Sequence, residues 1–196
     1  MKKVALLFLA LCLTLSLTAC SGRTKEVVQV APDKVLVAYF SCSGNTQKLA
    51  EDIADALHCD LYEIVAEDPY TDEELERSDD DCRTQQELKD PNARPAIVGT
   101  VEGMEDYEVI FIGYPIWWGD APKIIATFLE RYDFSNKTII PFCTSGSSGL
   151  GASATNLHGY AAKSARWLEG MRFPSSTARR AVTEWLNELP IKVSAE

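Results

Sequence analysis

Apolar runs and amphipathic stretches alternate along most of this chain. Residues 34–40 (Lys-Val-Leu-Val-Ala-Tyr-Phe) form a nearly unbroken apolar run, the pattern of a strand buried on both faces of a parallel sheet. In residues 46–57, Leu49, Ile53 and Leu57 lie four apart with Ala50 and Ala54 beside them, which predicts a helix with one apolar face. Further strands are expected at 61–65, 109–114 and 138–142. Residues 121–132 predict a helix with Asp120 as N-cap, Pro122 in its first turn, and Ile124, Ile125, Phe128 and Leu129 facing inward. Residues 153–165 read as helix and 167–173 as a fifth strand. Residues 176–189 read as a closing helix through Val182, Trp185, Leu186 and Leu189, stopped by Pro190. Strands alternating with helices predict an α/β fold built on a doubly wound parallel sheet. The patterning is weakest over residues 67–107, which are acidic and contain proline. Residues 71–88 are expected to be helical, a meandering link follows Pro91, and the charges read as a solvated face.

The first twenty residues follow another pattern. Lys2 and Lys3 precede a run from 4 to 17 that is apolar except for Thr14 and Ser16, too short for a membrane span and right for a secretory signal. Leu17-Thr18-Ala19-Cys20 resembles the bacterial lipobox, in which the cysteine is acylated and becomes the new N-terminus. That resemblance implies a signal at 1–19, a lipid-bearing Cys20 opening a polar tether to residue 33, a folded domain over 34–189 and a tail at 190–196. It places the protein outside the cytoplasm, anchored by lipid in a bacterial cell envelope.

Charge and cysteine content narrow the picture. The formal net charge is −10, and loss of Lys2 and Lys3 with the signal would make it −12. An acidic surface argues against nucleic acid as a partner and permits docking to a basic protein. Cys42, Cys59, Cys82 and Cys143 remain in the domain; no Cys-x-x-Cys pair occurs and there are two histidines, so no metal site is expected. Outside the cytoplasm a disulfide among the four is permitted, and the sequence selects no pair.

Three loops fall where open α/β sheets bind ligands, after the carboxyl ends of strands. The first, Ser41-Cys42-Ser43-Gly44-Asn45-Thr46, puts hydroxyls, a glycine and an amide before a helix N-terminus, an arrangement suited to a phosphate. It lacks the lysine of a nucleoside-triphosphate loop. The second contains Pro115, Ile116, Trp117, Trp118 and Gly119; adjacent tryptophans in a loop suit stacking on a flat ring, one against the ring and one packed or at the rim. The third contains Thr144, Ser145, Gly146, Ser147 and Gly149, whose hydroxyls and glycines allow close backbone approach to a ligand edge. Gly146-Ser-Ser-Gly149 is one residue short of a nucleophile elbow, and His158 does not restore a hydrolase.

Tyr-Phe-Ser-x-Ser-Gly-Asn-Thr, then Arg94-Pro95, Ile-Gly-Tyr-Pro-Ile-Trp-Trp-Gly and Pro-Phe-x-Thr-Ser-Gly, in that order, resemble the flavodoxin family, in particular its short-chain bacterial members. Ser43 stands where the family's phosphate loop has threonine and keeps the hydroxyl. The resemblance implies five strands in the order 2-1-3-4-5 with helices on both faces, and non-covalent flavin mononucleotide (FMN) as cofactor. Ser41, Ser43, Gly44, Asn45 and Thr46 would hold its phosphate, and the second and third loops would enclose its ring. No catalytic acid, base or nucleophile is required of the protein, because the chemistry is the flavin's. A redox partner protein, in this location one bound to the membrane, is implied as electron donor. Three functions compete: an electron carrier, an FMN-dependent NAD(P)H:quinone-type oxidoreductase, and a binding module without flavin. The acidic charge favours the carrier. Arg166, Arg172, Arg179 and Arg180, the cations that could meet a nicotinamide cofactor's phosphates, are expected away from the cofactor loops.

Overall fold

In the computed structural model, which describes residues 27–76 and 78–194, the apolar runs become strands of one parallel sheet. In chain order the elements are β1 (Val28–Val30), β2 (Val35–Tyr39), α1 (Asn45–Leu57), β3 (Asp60–Glu63), β4 (Val65–Ala66), α2 (Arg83–Lys89), β5 (Ile97–Val98) and β6 (Val109–Pro115). They continue with α3 (Lys123–Arg131), β7 (Thr138–Thr144), α4 (Ser153–Leu157), β8 (Arg166–Trp167), β9 (Met171–Phe173), α5 (Arg179–Glu188) and β10 (Ile191–Val193). The sheet runs β3-β2-β6-β7-β8, and β9 also pairs with β7, all parallel. This is the expected 2-1-3-4-5 order with the fifth strand in two pieces. β2 and β7 are buried throughout, as their continuous apolar runs require.

Alternation along the strands divides the core. Val35, Val37 and Tyr39 of β2 pack with Leu49 and Ile53 of α1 and Trp185 of α5 on one face. Leu36 and Ala38 pack with Ile124, Ile125 and Phe128 of α3 on the other. Helices therefore cover both faces, and the loops after β2, β6 and β7 are left at the carboxyl edge.

Several expected elements are shorter or differently built. Among the described residues of 71–88 only α2, Arg83–Lys89, is helical; the preceding turns have no apolar stripe to bury. Residues 153–165 contain α4, a 3₁₀ turn at His158–Tyr160 and irregular chain. Val65 belongs to β4, which pairs antiparallel with β5 instead of extending β3. Asp120 does not cap α3, whose cap position is Pro122; its carboxylate accepts bonds from the Ala121 amide and Asn156 instead. The last part of the supposed tether is strand β1, which pairs in parallel with β10 in the supposed tail. The signal-like segment and Cys20 lie outside the described residues. Cys42, Cys59, Cys82 and Cys143 are all free thiols. Among the described residues no helix is long and apolar enough to cross a membrane.

Candidate functional site

The loops converge where β2 ends between its neighbours β3 and β6, the switch point of the sheet. Gly44 occupies the cap position of α1 at φ +78°, in the left-handed region open to glycine, and no side chain caps the helix. The first-turn amides thus face outward without a side-chain acceptor, a ready seat for an anion. Asn45 Nδ2 donates to Ser43 Oγ at 3.0 Å, which fixes the amide beside that seat. The Ser41 hydroxyl is buried and has no hydrogen-bond partner among the described residues. Such an open donor fits an oxyanion ligand.

The second loop is a tight structure. Trp117 and Asp120 exchange backbone hydrogen bonds of 2.9 Å in both directions, and Trp118 (φ +44°) and Gly119 (φ +86°) turn the chain between them. The two indoles have different fates. Trp117 is 8% exposed and packs edge-on against Phe40 and Tyr70, with centroids 5.6 and 5.2 Å away. Trp118 is 39% exposed, so it is the tryptophan free to stack on a planar ligand.

The third loop is bonded to both others. Thr46 and Thr144 hydroxyls lie 2.7 Å apart in the interior, and the Ile116 amide donates to Thr144 O at 2.9 Å. A cavity of about 210 Å³ opens among the three. Cys42, Ser43 and Asn45 line it from the first loop, Pro115, Ile116, Trp117 and Trp118 from the second, and Thr144, Ser145 and Gly146 from the third. Gly119 and Ser147 line an adjoining cleft of about 280 Å³ that shares Trp118 and Gly146. Ser41, Gly44, Thr46 and Gly149 line neither space; Ser41 lines a neighbouring cleft beside Tyr70, and Thr46 is tied to Thr144.

No residue lining the cavity among the three loops carries a formal charge, in a protein of net charge −10. A phosphate therefore meets hydroxyls and amides without carboxylate repulsion. Cys42 is the titratable side chain in the lining; it is exposed as a residue, yet desolvation by the surrounding chain pushes its thiol up to about 11. It stays protonated at neutral pH.

Two lining residues and two supporting ones were not expected. Ser175 belongs to a fourth hydroxyl-rich turn, Pro174-Ser-Ser-Thr177, which follows the fifth strand as the other loops follow theirs. That position in the strand order was a usable signal. Leu75 reaches the cavity from the acidic segment and has no sequence signature. Tyr70 supports Trp117. Arg172, expected far from the loops, donates from Nη2 to Ser145 O at 2.6 Å.

Strand order, switch point and cleft define a flavodoxin-like α/β protein. The Flavodoxin family model matches residues 34–189, and the chain belongs to that family. A candidate flavoprotein from Bacteroides eggerthii is 42% identical, with a TM-score of 0.75 over 81% of this chain and 99% of that chain. One from Bacteroides uniformis is 38% identical, with a TM-score of 0.75 over 80% and 99%. A flavoprotein from Lactobacillus acidophilus in complex with FMN is 25% identical, with a TM-score of 0.58 over 71% and 93%. No curated protein matches the chain.

Proposed function

We propose that this chain binds FMN and carries electrons outside the cytoplasm, held at a membrane by lipid on Cys20. What supports the reading is the uncharged cavity where Ser43 and Asn45, at the uncapped N-terminus of α1, meet the exposed Trp118 ring. Ser41, Ser43, Gly44, Asn45 and Thr46 hold the phosphate; the second and third loops hold the ring, with Trp118 as the stacking residue. The FMN complex of the Lactobacillus acidophilus relative supports the choice of cofactor. Bound FMN supplies reversible one- and two-electron chemistry. The chain's own residues bind the phosphate, orient the ring and exclude water from one of its faces.

The carrier reading is favoured over a reductase because no cation lines the cavity to receive a nicotinamide cofactor's phosphates. The lipid anchor is supported by the order of basic residues, apolar run and lipobox-like Leu17–Cys20 in the sequence. Purified protein is expected to be yellow and to oxidise NADH or NADPH slowly with a quinone as acceptor; rapid turnover would replace the carrier with the reductase. Cells fed a labelled fatty acid should label the wild-type chain and not the Cys20→Ser variant, and equal labelling would remove the anchor.

A further inference from the structure

The clamp on the third loop has a consequence for the cofactor. Both backbone groups of Ser145 are tied to β9: its amide donates to Phe173 O at 3.1 Å, and its carbonyl accepts the Arg172 Nη2 bond at 2.6 Å. Arg172 itself does not line the cavity. It sits on the far side of the loop, beside the groove between β9 and α5. The peptide joining Ser145 to Gly146 is trans, so its C=O and N–H point in opposite directions. A carbonyl drawn toward Arg172 turns the Gly146 N–H the other way. The glycine side of that peptide is open, since a Cβ built on Gly146 would meet nothing within 4 Å among the described residues.

The charge on Arg172 is also left uncompensated. Arg83, Arg94, Arg179 and Arg180 all pair with carboxylates, whereas no carboxylate among the described residues pairs with Arg172. Its Nε is buried without a hydrogen-bond partner among them.

We propose that Arg172 is a positioning residue for the cofactor: it turns the Ser145–Gly146 peptide so that the Gly146 N–H faces the cleft, and so favours the reduced cofactor over the oxidised one. The inference rests on the FMN reading. Reduction adds negative charge to the flavin ring, and an N–H donor with a cation behind it stabilises that charge.

The test uses the full chain loaded with FMN. Arg172→Leu should lower the midpoint reduction potential and weaken the reduced cofactor roughly three- to tenfold more than the oxidised one, the scale of one hydrogen bond. Arg172→Lys, which keeps a donor and the charge, should recover most of the loss. In ¹⁵N spectra the Gly146 amide should shift on FMN addition to wild type, and much less in Arg172→Leu. An unchanged potential in Arg172→Leu, failure of Arg172→Lys to recover any of the loss, or a Gly146 amide indifferent to FMN in wild type would overturn the proposal while leaving FMN binding intact. Wild type that binds no FMN would overturn both together.

Discussion

Two regions flank the same cleft and treat their polar groups in opposite ways. The loop at 41–46 leaves them open: an uncapped helix start, a buried serine hydroxyl without a partner, and no formal charge. The segment at 67–90 holds many carboxylates, and the polar groups nearest the cleft are closed on one another. Arg83 bonds Glu87 at 2.8 Å and Asp68 at 3.1 Å and lies 4.2 Å over the Tyr70 ring, whose hydroxyl donates to Glu87 at 2.7 Å. Hydrogen bonding to Glu87 holds Arg83 above its ordinary pKa despite its partial burial. Burial and the bond to Glu87 hold the Tyr70 phenol up as well. A ligand site is marked by polar groups lacking partners, while a dense run of charge can be structural.

Trp117 joins the two regions, because its ring packs on Phe40 before the first loop and on Tyr70 of the acidic segment. Trp117→Ala should therefore have the largest effect, a loss of about 3–5 kcal/mol of stability read from urea unfolding, as for other buried aromatic truncations. Asn45→Ala tests the open region. Asn45 is exposed, so stability should hold, while FMN affinity should fall at least tenfold through loss of about 1.5–3 kcal/mol from a bond to a charged group. Glu87→Gln tests the closed region with the reverse outcome: stability falls by about 1–2 kcal/mol as the Arg83 and Tyr70 contacts weaken, and FMN affinity stays within roughly threefold. If Glu87→Gln weakened FMN as much as Asn45→Ala, the two regions would not be separable.

The smallest effect concerns Arg94, which continues the closed region by gripping Glu130 at 2.6 and 2.9 Å. Its hydrogen bonds hold the Glu130 carboxyl below the ordinary 4.5. A carboxyl depressed on folding adds stability above its unfolded pKa and loses it as pH falls through the folded one. Both side chains are partly solvated, so the contribution is about 1 kcal/mol or less. Glu130→Gln should be slightly less stable than wild type at pH 7 in urea midpoints, and the difference should shrink as pH falls below 4.5.

The legible parts of this fold are those whose reasons are local. β2, β6 and β7 are contiguous apolar runs, and the first loop gathers its hydroxyls and amide within six residues. The helix expected over 71–88 is confined to α2 because much of that segment's order comes from contacts outside any periodic pattern. Thr84 Oγ1 reaches back to Glu74 O at 2.9 Å, and Arg83 gathers Asp68 and Glu74 from earlier in the chain as well as Glu87 one turn ahead. The split of the fifth strand also has a tertiary cause. Pro141 in β7 has no N–H to offer the edge strand, and the chain passes it at Gly170, where a Cβ would come within 2.5 Å of Pro141 O. The strand pairs with β7 on either side of that point. Arg172, expected away from the loops, lies against one of them for a related reason: its contact with Ser145 depends on which strand ends are neighbours, not on any motif around it.

FMN binding at this cleft is tested most directly by a fluorescence titration of the flavin-free full chain with FMN and, separately, with riboflavin, which lacks the phosphate. The chain should bind one FMN, quench both flavin and tryptophan emission, and bind riboflavin at least tenfold more weakly because the first loop then has no anion to hold. Absence of FMN binding, or equal affinity for the two flavins, would contradict it.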